Sequence, residues 1–275
     1  MDRRAFLVAA GVAIAGCTGG SETESPSDET GTGSASETGE LAVTDVSVPG
    51  TVGIGSTVSL SVTVRNDADA EESYESSVSR RIRNGEWTEL DTTVEISVPA
   101  GETVTEDVAV PAYEYLAAGT YRLDDGEHLA RTAFVKRELE LGESYTTPNG
   151  VRLTVSDVTF PDSYTYDTGD GTETIDAAEG EKLAVTHLSA ENTTDSTVRT
   201  PGTEEAVLRR DEHEFGDMSF DSNVDKYTGG ELEAGARIEG NIASDVPVDE
   251  RREDLRVGYE QSFEEGEAIA NWSLT

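Results

Sequence analysis

The sequence is poor in several residue types that would narrow its function. It contains one cysteine, three lysines and only 6% aromatic residues among 275 positions. A single cysteine excludes an internal disulfide. The formal net charge of −37 excludes nucleic acid as a natural partner. No apolar run approaches the roughly 20 residues needed to span a hydrocarbon core.

Motifs for catalysis and for cofactors are also missing. The chain has no Gly-x-Ser-x-Gly elbow, no Walker loop and no dinucleotide fingerprint. Its three histidines, His128, His187 and His213, lie far apart and in no metal-ligand spacing. His187 falls within a predicted strand, where a core or face histidine is the more common role. We therefore expect a protein that is not an enzyme and that holds no cofactor.

The first seventeen residues predict export and lipid anchoring. Arg3 and Arg4 form a basic start, an apolar run follows over residues 5–15, and Gly16 precedes Cys17. This order is typical of a signal peptide, here residues 1–16. The alternative is an uncleaved apolar tail with an idle thiol.

Two short motifs in this segment resemble known signals. Arg-Arg-Ala-Phe-Leu from Arg3 resembles the twin-arginine export signal, which carries folded cargo. Ile-Ala-Gly-Cys, ending at Cys17, resembles the lipobox of bacteria and archaea. The resemblance implies that Cys17 receives a lipid, which would place the protein on the outer face of the cell membrane.

Residues 17–40 predict a disordered tether between this anchor and the folded part. From residue 18 to residue 40 the chain has no aromatic residue and no lysine or arginine. Such a segment cannot bury enough apolar surface to fold. A flexible chain of this length spans about 26 Å.

The acidic, lysine-poor composition predicts a protein that lives in concentrated salt. Self-repulsion opposes compaction at low ionic strength, whereas the Debye length falls to about 3 Å at 1 M salt. Together with the two signal motifs, the composition resembles that of haloarchaeal proteins. The alternative is a merely acidic secreted protein.

The remaining residues predict an all-β chain with two immunoglobulin-like antiparallel sandwiches. Val58, Leu60, Val62 and Val64 alternate with polar residues, which indicates a strand with one buried face. Asn84-Gly85 is a hairpin signal between two strand-like runs. Short strands separated by turn residues continue along the chain. Its length suits two domains, predicted at 41–136 and 137–275.

Each predicted domain resembles a known family. Residues 62–67, 99–103 and 118–121 resemble the cell-adhesion-related (CARDB-like) immunoglobulin-like domain of bacterial and archaeal surface proteins. This resemblance implies an accessory or adhesive module without catalysis. Residues 141–143 and 180–192 resemble a telokin-like immunoglobulin-like domain of unknown function, which is often found behind lipoprotein signals and has no assigned catalytic residues.

One segment of the second domain could hold calcium. Asp167, Asp170 and Glu173 lie in a long polar loop, predicted at residues 164–181, together with flexible glycines. Carboxylates are the hard oxygen ligands that calcium prefers, but the segment lacks the twelve-residue EF-hand order. In a chain with 57 acidic residues such clusters also arise by chance, so the expectation remains no metal, with these three as calcium candidates.

Two further features concern the surface. Asn192 and Asn271 begin Asn-x-Ser/Thr sequons and are candidates for glycosylation, with Asn192 favoured because it falls in a turn. Residues 80–83 carry three arginines, which stand out on so acidic a chain. We expect these arginines to pair with nearby glutamates rather than to form a binding site.

The sequence supports two hypotheses of function. The leading one is a non-enzymatic surface lipoprotein that serves as an interaction or ligand-presenting module, with a protein or glycan partner at the cell surface. The alternative is a solute- or ion-binding component of a surface transport system. Against the alternative, binding proteins of that kind usually have two α/β lobes, and helical periodicity is nearly absent here.

Overall fold

The computed structural model describes residues 41–124, 126–218 and 225–275. The predicted signal peptide, its Arg3 and Arg4, the lipidation site Cys17 and the tether all lie outside these ranges. Within them the chain forms strands and a single 3₁₀ turn at Arg252–Asp254, so the all-β prediction is confirmed. No helix in the described ranges is long and apolar enough to span a membrane.

The first part of the chain forms two sheets packed face to face. One sheet has the order β1-β3-β6, and the other has the order β2-β8-β7-β4-β5, with β2 parallel to β8 and all other pairs antiparallel. The strands are β1 Leu41–Ser47, β2 Thr51–Gly53, β3 Val58–Asn66, β4 Glu72–Ile82, β5 Trp87–Val98, β6 Thr103–Val110, β7 Ala117–Leu123 and β8 Leu129–Val135.

The predicted alternation in β3 gives this strand one face that is buried in the core of the sandwich. Val58, Leu60, Val62 and Val64 are all 0% exposed, because side chains two apart in a strand point to the same face. The residues between them lie on the outer face. The hairpin predicted at Asn84-Gly85 is confirmed, since β4 and β5 pair antiparallel on either side of residues 83–86.

The second part forms a four-stranded sheet, β10-β11-β14-β19, and a five-stranded sheet, β17-β16-β20-β21-β9. Two short ribbons, β12-β13 and β15-β18, accompany them. The strands are β9 Arg137–Glu140, β10 Ser144–Thr146, β11 Val151–Thr159, β12 Ser163–Asp167, β13 Thr172–Asp176, β14 Glu181–Asn192, β15 Val198–Thr200, β16 Ala206–Arg210, β17 His213–Phe215, β18 Gly230–Leu232, β19 Arg237–Pro247, β20 Arg256–Ser262 and β21 Glu267–Ser273.

The two sandwiches repeat the same strand order. The five-stranded sheet of the first, β2-β8-β7-β4-β5, matches that of the second, β9-β21-β20-β16-β17. In both, a short strand pairs in parallel with the last strand of the sandwich. Likewise β1-β3-β6 matches β11-β14-β19. The equivalence allows residues of one sandwich to be compared directly with residues of the other.

An asparagine ends the central strand of the smaller sheet in each sandwich. Asn66 ends β3 and Asn192 ends β14, and both side chains are 0% exposed. The Asn66 Nδ2 donates to the carbonyls of Ala70 at 2.7 Å and Val98 at 2.9 Å. Each asparagine thereby ties its own turn to a second segment of the chain.

The two sandwiches share a junction of aromatic rings. Phe134, Tyr113, Tyr115 and Phe263 form a continuous series with centroid separations of 5.2, 5.7 and 5.8 Å. The first three rings belong to the first sandwich and the last belongs to the second. Beside them the Leu116 N–H donates to the carbonyl of Glu267 at 2.9 Å. Buried residues of both sandwiches belong to one continuous hydrophobic cluster.

Candidate functional site

The calcium candidates lie on a hairpin, not on the long loop predicted for residues 164–181. β12 and β13 pair throughout, because Tyr164, Tyr166 and Ile175 give this polar segment an apolar side that packs on Ala243. Asp167 Oδ1 accepts a hydrogen bond from the Gly169 N–H at 2.7 Å.

The other candidates are placed in the same ribbon. Glu173 Oε2 accepts a hydrogen bond from the Tyr166 hydroxyl at 3.0 Å, and Asp170 lies in the turn between the two strands. Among the described residues, no three histidine, cysteine or acidic side chains are grouped so that they could hold a metal. The hairpin therefore uses at least two of the three carboxylates for its own hydrogen bonds.

The two sequon asparagines are buried. Asn192 is 0% exposed and its Nδ2 donates to the carbonyls of Ser196 at 2.6 Å and Leu232 at 2.9 Å. Asn271 is 3% exposed and its Nδ2 donates to Glu138 at 3.1 Å. Glycosylation needs a free amide nitrogen, and both of these nitrogens are engaged in hydrogen bonds in the folded chain. Glycosylation at either asparagine therefore stays a prediction, and it would have to precede folding.

The histidine singled out in a predicted strand lies in a polar network on a sheet face. His187 Nδ1 is 3.1 Å from Asn241 Oδ1 on the paired strand, and Asn241 Nδ2 donates to the Tyr164 hydroxyl at 2.8 Å. An amide oxygen only accepts, so this hydrogen bond requires the tautomer of His187 with the proton on Nδ1. These contacts fix the imidazole against the β12-β13 hairpin.

The arginines of residues 80–83 do not pair with glutamates. Arg80 donates to the carbonyls of Pro111 at 3.0 Å and Ala112 at 3.1 Å, and Arg83 donates to that of Leu116 at 3.2 Å. Within the described part of the chain, neither these two nor Arg81 forms an ion pair within 4.0 Å. The expected pairing with glutamates is therefore wrong there.

Arg81 instead belongs to a basic face on the outside of the five-stranded sheet. It lies opposite Trp87 on the neighbouring strand β5, while Arg122 and Arg131 follow on β7 and β8. The guanidinium carbons of Arg81 and Arg122 lie 4.6 and 4.2 Å from the centroid of the Trp87 ring system. We call Arg81, Trp87, Arg122 and Arg131 the basic face.

Stacking on an indole orients a guanidinium group without providing acceptors for its N–H donors. The cation is attracted to the ring face, whereas its N–H groups lie in its own plane and remain free to donate sideways. The Arg81 Nε is buried and has no hydrogen-bond partner. Glu89 shares this side of the sheet, opposite Ser79, yet it forms no ion pair within 4.0 Å in the described ranges. Among the described residues, neither Arg81 nor Arg122 therefore has a carboxylate within ion-pair distance.

The equivalent position in the second sandwich is paired with two acids, although the Arg209 Nε, like that of Arg81, is buried without a hydrogen-bond partner. Arg209 on β16 matches Arg81 on β4 in sheet position. Arg209 is held by Glu214 at 2.9 Å on one side and by Glu260 at 3.0 Å on the other. The strands that carry these two acids match those that carry Trp87 and Arg122. The same strand arrangement therefore pairs Arg209 with carboxylates in the second sandwich, whereas it gives Arg81 no such partner in the first.

Sequence reasoning missed this face because its members are distant in the chain. Arg81 and Arg122 meet over Trp87 only through the pairing of β4 with β7. The cluster of arginines at residues 80–83 was the available signal. Their separation into inward and outward side chains follows from strand alternation once the register is known.

Comparisons with known proteins give distant structural similarity and no family. No family model matches the chain, and no curated protein matches it. The resemblances to the two immunoglobulin-like families therefore stay predictions.

Among solved structures, ycdA from Bacillus subtilis, described as a candidate lipoprotein, is 14% identical with a TM-score of 0.34 over 48% of this chain, which spans 38% of that protein. The yjhA protein of the same species is 15% identical with a TM-score of 0.35, over 49% of this chain and 99% of that one. An uncharacterised β-sandwich protein from Clostridium difficile is 11% identical with a TM-score of 0.34, over 49% of this chain and 93% of that one. Likenesses of this size carry no argument about function.

Proposed function

We propose that this protein is a membrane-anchored surface lipoprotein without enzymatic activity, and that its first sandwich binds the acidic surface of a partner protein through the basic face. The observation that supports the proposal is the contrast between Arg81 and Arg209. In a chain with 57 acidic residues, an acid beside Arg81 would be easy to supply. The two acids beside Arg209 show that this fold accommodates such neighbours.

The composition of the face favours a protein as the partner. Tryptophan and arginine are the side chains that contribute most to protein–protein binding. Leu129 on β8 lies opposite Arg122 and is 46% exposed, which extends the face with apolar surface. A carboxylate can accept two parallel hydrogen bonds from one guanidinium, and such pairs are short and strong. Contact pairs of this kind persist in salt that screens longer-range attraction.

The anchoring part of the proposal depends on the first seventeen residues. Lipidation at Cys17 would hold the protein on the outer side of the cell membrane, and the predicted tether would leave the sandwiches free to meet a partner there. A covalent lipid supplies membrane affinity of about 0.8 kcal/mol per buried CH₂ group. The fold of residues 41–275 need not itself contact the membrane.

The experiment compares binding of poly-L-glutamate by the protein and by a variant that copies the acidic neighbours of the second sandwich. Trp87→Glu with Arg122→Glu gives Arg81 the two acidic neighbours that Arg209 has. We expect binding in about 1 M KCl to weaken at least about tenfold. Fluorescence reports binding by the unaltered protein directly, because Trp87 is partly exposed whereas the other tryptophan, Trp272, is 1% exposed. Calorimetry measures binding by the variant, which lacks Trp87.

A matched control separates the face from overall charge. The variant lowers the net charge by three, and so do Arg152→Gln, Arg237→Gln and Arg251→Gln together, all exposed residues in the second sandwich. Equal binding of poly-L-glutamate by the variant and the control would overturn the proposal. Binding of alginate in place of poly-L-glutamate would assign the face to an acidic glycan instead.

A further inference from the structure

A cavity lies where the two sandwiches meet, away from the basic face. This cavity, of about 180 Å³, is bounded by Gly55, Ala112 and Glu114 of the first sandwich and by Arg137, Ser144 and Tyr145 of the second. It is far larger than the 10–15 Å³ or so that one water requires. It is smaller than the roughly 300 Å³ of the smallest drug-sized pockets. The space therefore fits a small solute.

One side chain of this cavity has an unused hydrogen-bond donor. Tyr145 is 3% exposed, and its hydroxyl has no hydrogen-bond partner. Buried polar atoms are normally paired, so an orphaned hydroxyl needs an explanation. Burial raises the pKa of Tyr145, so the hydroxyl keeps its proton. It is therefore a buried donor for which the protein supplies no acceptor.

A carboxylate and a guanidinium line the same cavity as this tyrosine. In addition to burial, Glu114 raises the pKa of Tyr145 and Arg137 lowers it, so both charges act on the phenol. Neither Glu114 nor Arg137 forms an ion pair within 4.0 Å in the described part of the chain. Glu114 is exposed on one side, and its partial burial raises its pKa while the charge of Arg80 lowers it. A carboxylate and a guanidinium thus face one cavity without neutralising each other.

We propose that this cavity binds a small zwitterion of the α-amino acid class. Its carboxylate accepts hydrogen bonds from Arg137 and from the Tyr145 hydroxyl, and its ammonium group donates to Glu114. A simple anion would leave Glu114 without a partner, and a simple cation would leave Arg137 and Tyr145 without one. Sites between domains are common places for small ligands. The inference is independent of the proposed function of the basic face.

Calorimetry on the protein tests the proposal with glycine, L-alanine and L-serine as probes. Sodium propionate and propylammonium chloride, which carry one charge each, serve as comparisons at the same ionic strength. We expect saturable binding of at least one amino acid, at least about tenfold tighter than either comparison. Failure of all three amino acids to bind would overturn the proposal, and so would equal binding of propionate.

Substitutions then distinguish a ligand site from a structural feature. Arg137→Gln and Glu114→Gln should each weaken amino acid binding at least about tenfold. Tyr145→Phe should also weaken binding, yet it should raise the urea midpoint of the free protein, because the orphaned hydroxyl is removed. The control is Tyr227→Phe, whose hydroxyl donates to Pro201 at 2.8 Å, and which should lower the midpoint and leave binding unchanged. If Tyr145→Phe leaves affinity unchanged, the proposal is wrong.

Discussion

Asn66 and Asn192 are structural counterparts in the two sandwiches. Each donates a 2.9 Å hydrogen bond to the carbonyl of a residue that precedes an Ala-Gly turn, Val98 in the first sandwich and Leu232 in the second. Each side-chain oxygen accepts the N–H of the second residue along, at 2.8 and 2.9 Å. The glycines of the two turns have φ values of 69° and 68°, a conformation that favours glycine.

Replacing either asparagine with alanine should therefore destabilise its sandwich strongly. Asn66→Ala or Asn192→Ala removes two donors and leaves the buried carbonyl of Val98 or of Leu232 unpaired, which should cost about 2–4 kcal/mol in the free energy of unfolding. Urea denaturation measures the loss. Ser59→Ala, on the exposed side of β3, should change it by no more than about 0.5 kcal/mol. Losses below 1 kcal/mol or so for both asparagines would contradict this assignment.

Neither sequon should carry a glycan if the protein crosses the membrane folded. Twin-arginine export carries folded cargo, and in the folded chain the amide nitrogens of Asn192 and Asn271 are already donors to protein oxygens. Peptide mapping by mass spectrometry of the native protein should find both asparagines unmodified. A glycan at either site would show that modification precedes folding, and it would argue against export in the folded state.

The pH dependence of stability should contain opposite contributions from Glu114 and Asp124. Burial raises the pKa of Glu114, so its favourable contribution is present below the pKa of the unfolded chain and is lost as the pH rises through the folded value. We expect Glu114→Gln to raise the urea midpoint at about pH 7 and to change it little near pH 4.

Asp124 provides the comparison of opposite sign. Hydrogen bonds from the Ser77 hydroxyl and N–H lower its pKa, so its contribution is present above the unfolded value and is lost as the pH falls. Asp124→Asn should lower the midpoint at about pH 7 and have less effect in acid. Shifts of the same sign for both variants would contradict these assignments.

Substitution of Cys17 should release the protein from the membrane. Cys17→Ser removes the only thiol in the chain, and with it the predicted site of lipidation. The protein should then appear in the medium or remain as an unprocessed precursor. Cell fractionation and intact mass measure the outcome. Unchanged membrane association and mass would show that Cys17 is not the anchor.

Stability should rise with salt. Removing residues 1–16 takes away Asp2, Arg3 and Arg4, a net +1, which changes the charge from −37 to −38. The Debye length falls from about 30 Å at 0.01 M to about 3 Å at 1 M, so repulsion between carboxylates weakens. Urea midpoints of residues 17–275 should therefore increase with potassium chloride. A flat or falling series would defeat the halophilic interpretation.

The sequence pattern was enough to predict the main strands, but it did not predict the β12-β13 pairing or the side-chain hydrogen bonds at the turns. The alternation around Val62 predicts a buried face because a strand has a period of two. It does not predict the β12-β13 hairpin, where Tyr164 and Tyr166 alternate with residues so polar that the segment resembles a loop. The Ala-Gly pair that follows Leu232 is visible in the sequence, as is the one that follows Val98. Only the hydrogen bond from Asn192 to Leu232 shows that this turn is held by an asparagine side chain.

The candidate sites depend on tertiary register, which no local pattern specifies. Arg81 and Arg122 are brought together by the pairing of strands 41 residues apart in the chain. The cavity lined by Glu114 and Arg137 exists because two separate sandwiches meet there. Composition indicates that arginines are scarce relative to acids. It cannot indicate which arginine lacks an acid beside it.

The ring series from Phe134 to Phe263 joins the two sandwiches directly, and the Leu116 to Glu267 hydrogen bond lies beside it. We expect these contacts to make the two sandwiches turn as one body, with a common rotational correlation time. A partner bound at Trp87 would then move together with both sandwiches. The length of the predicted tether would then set the greatest distance between the membrane and the basic face.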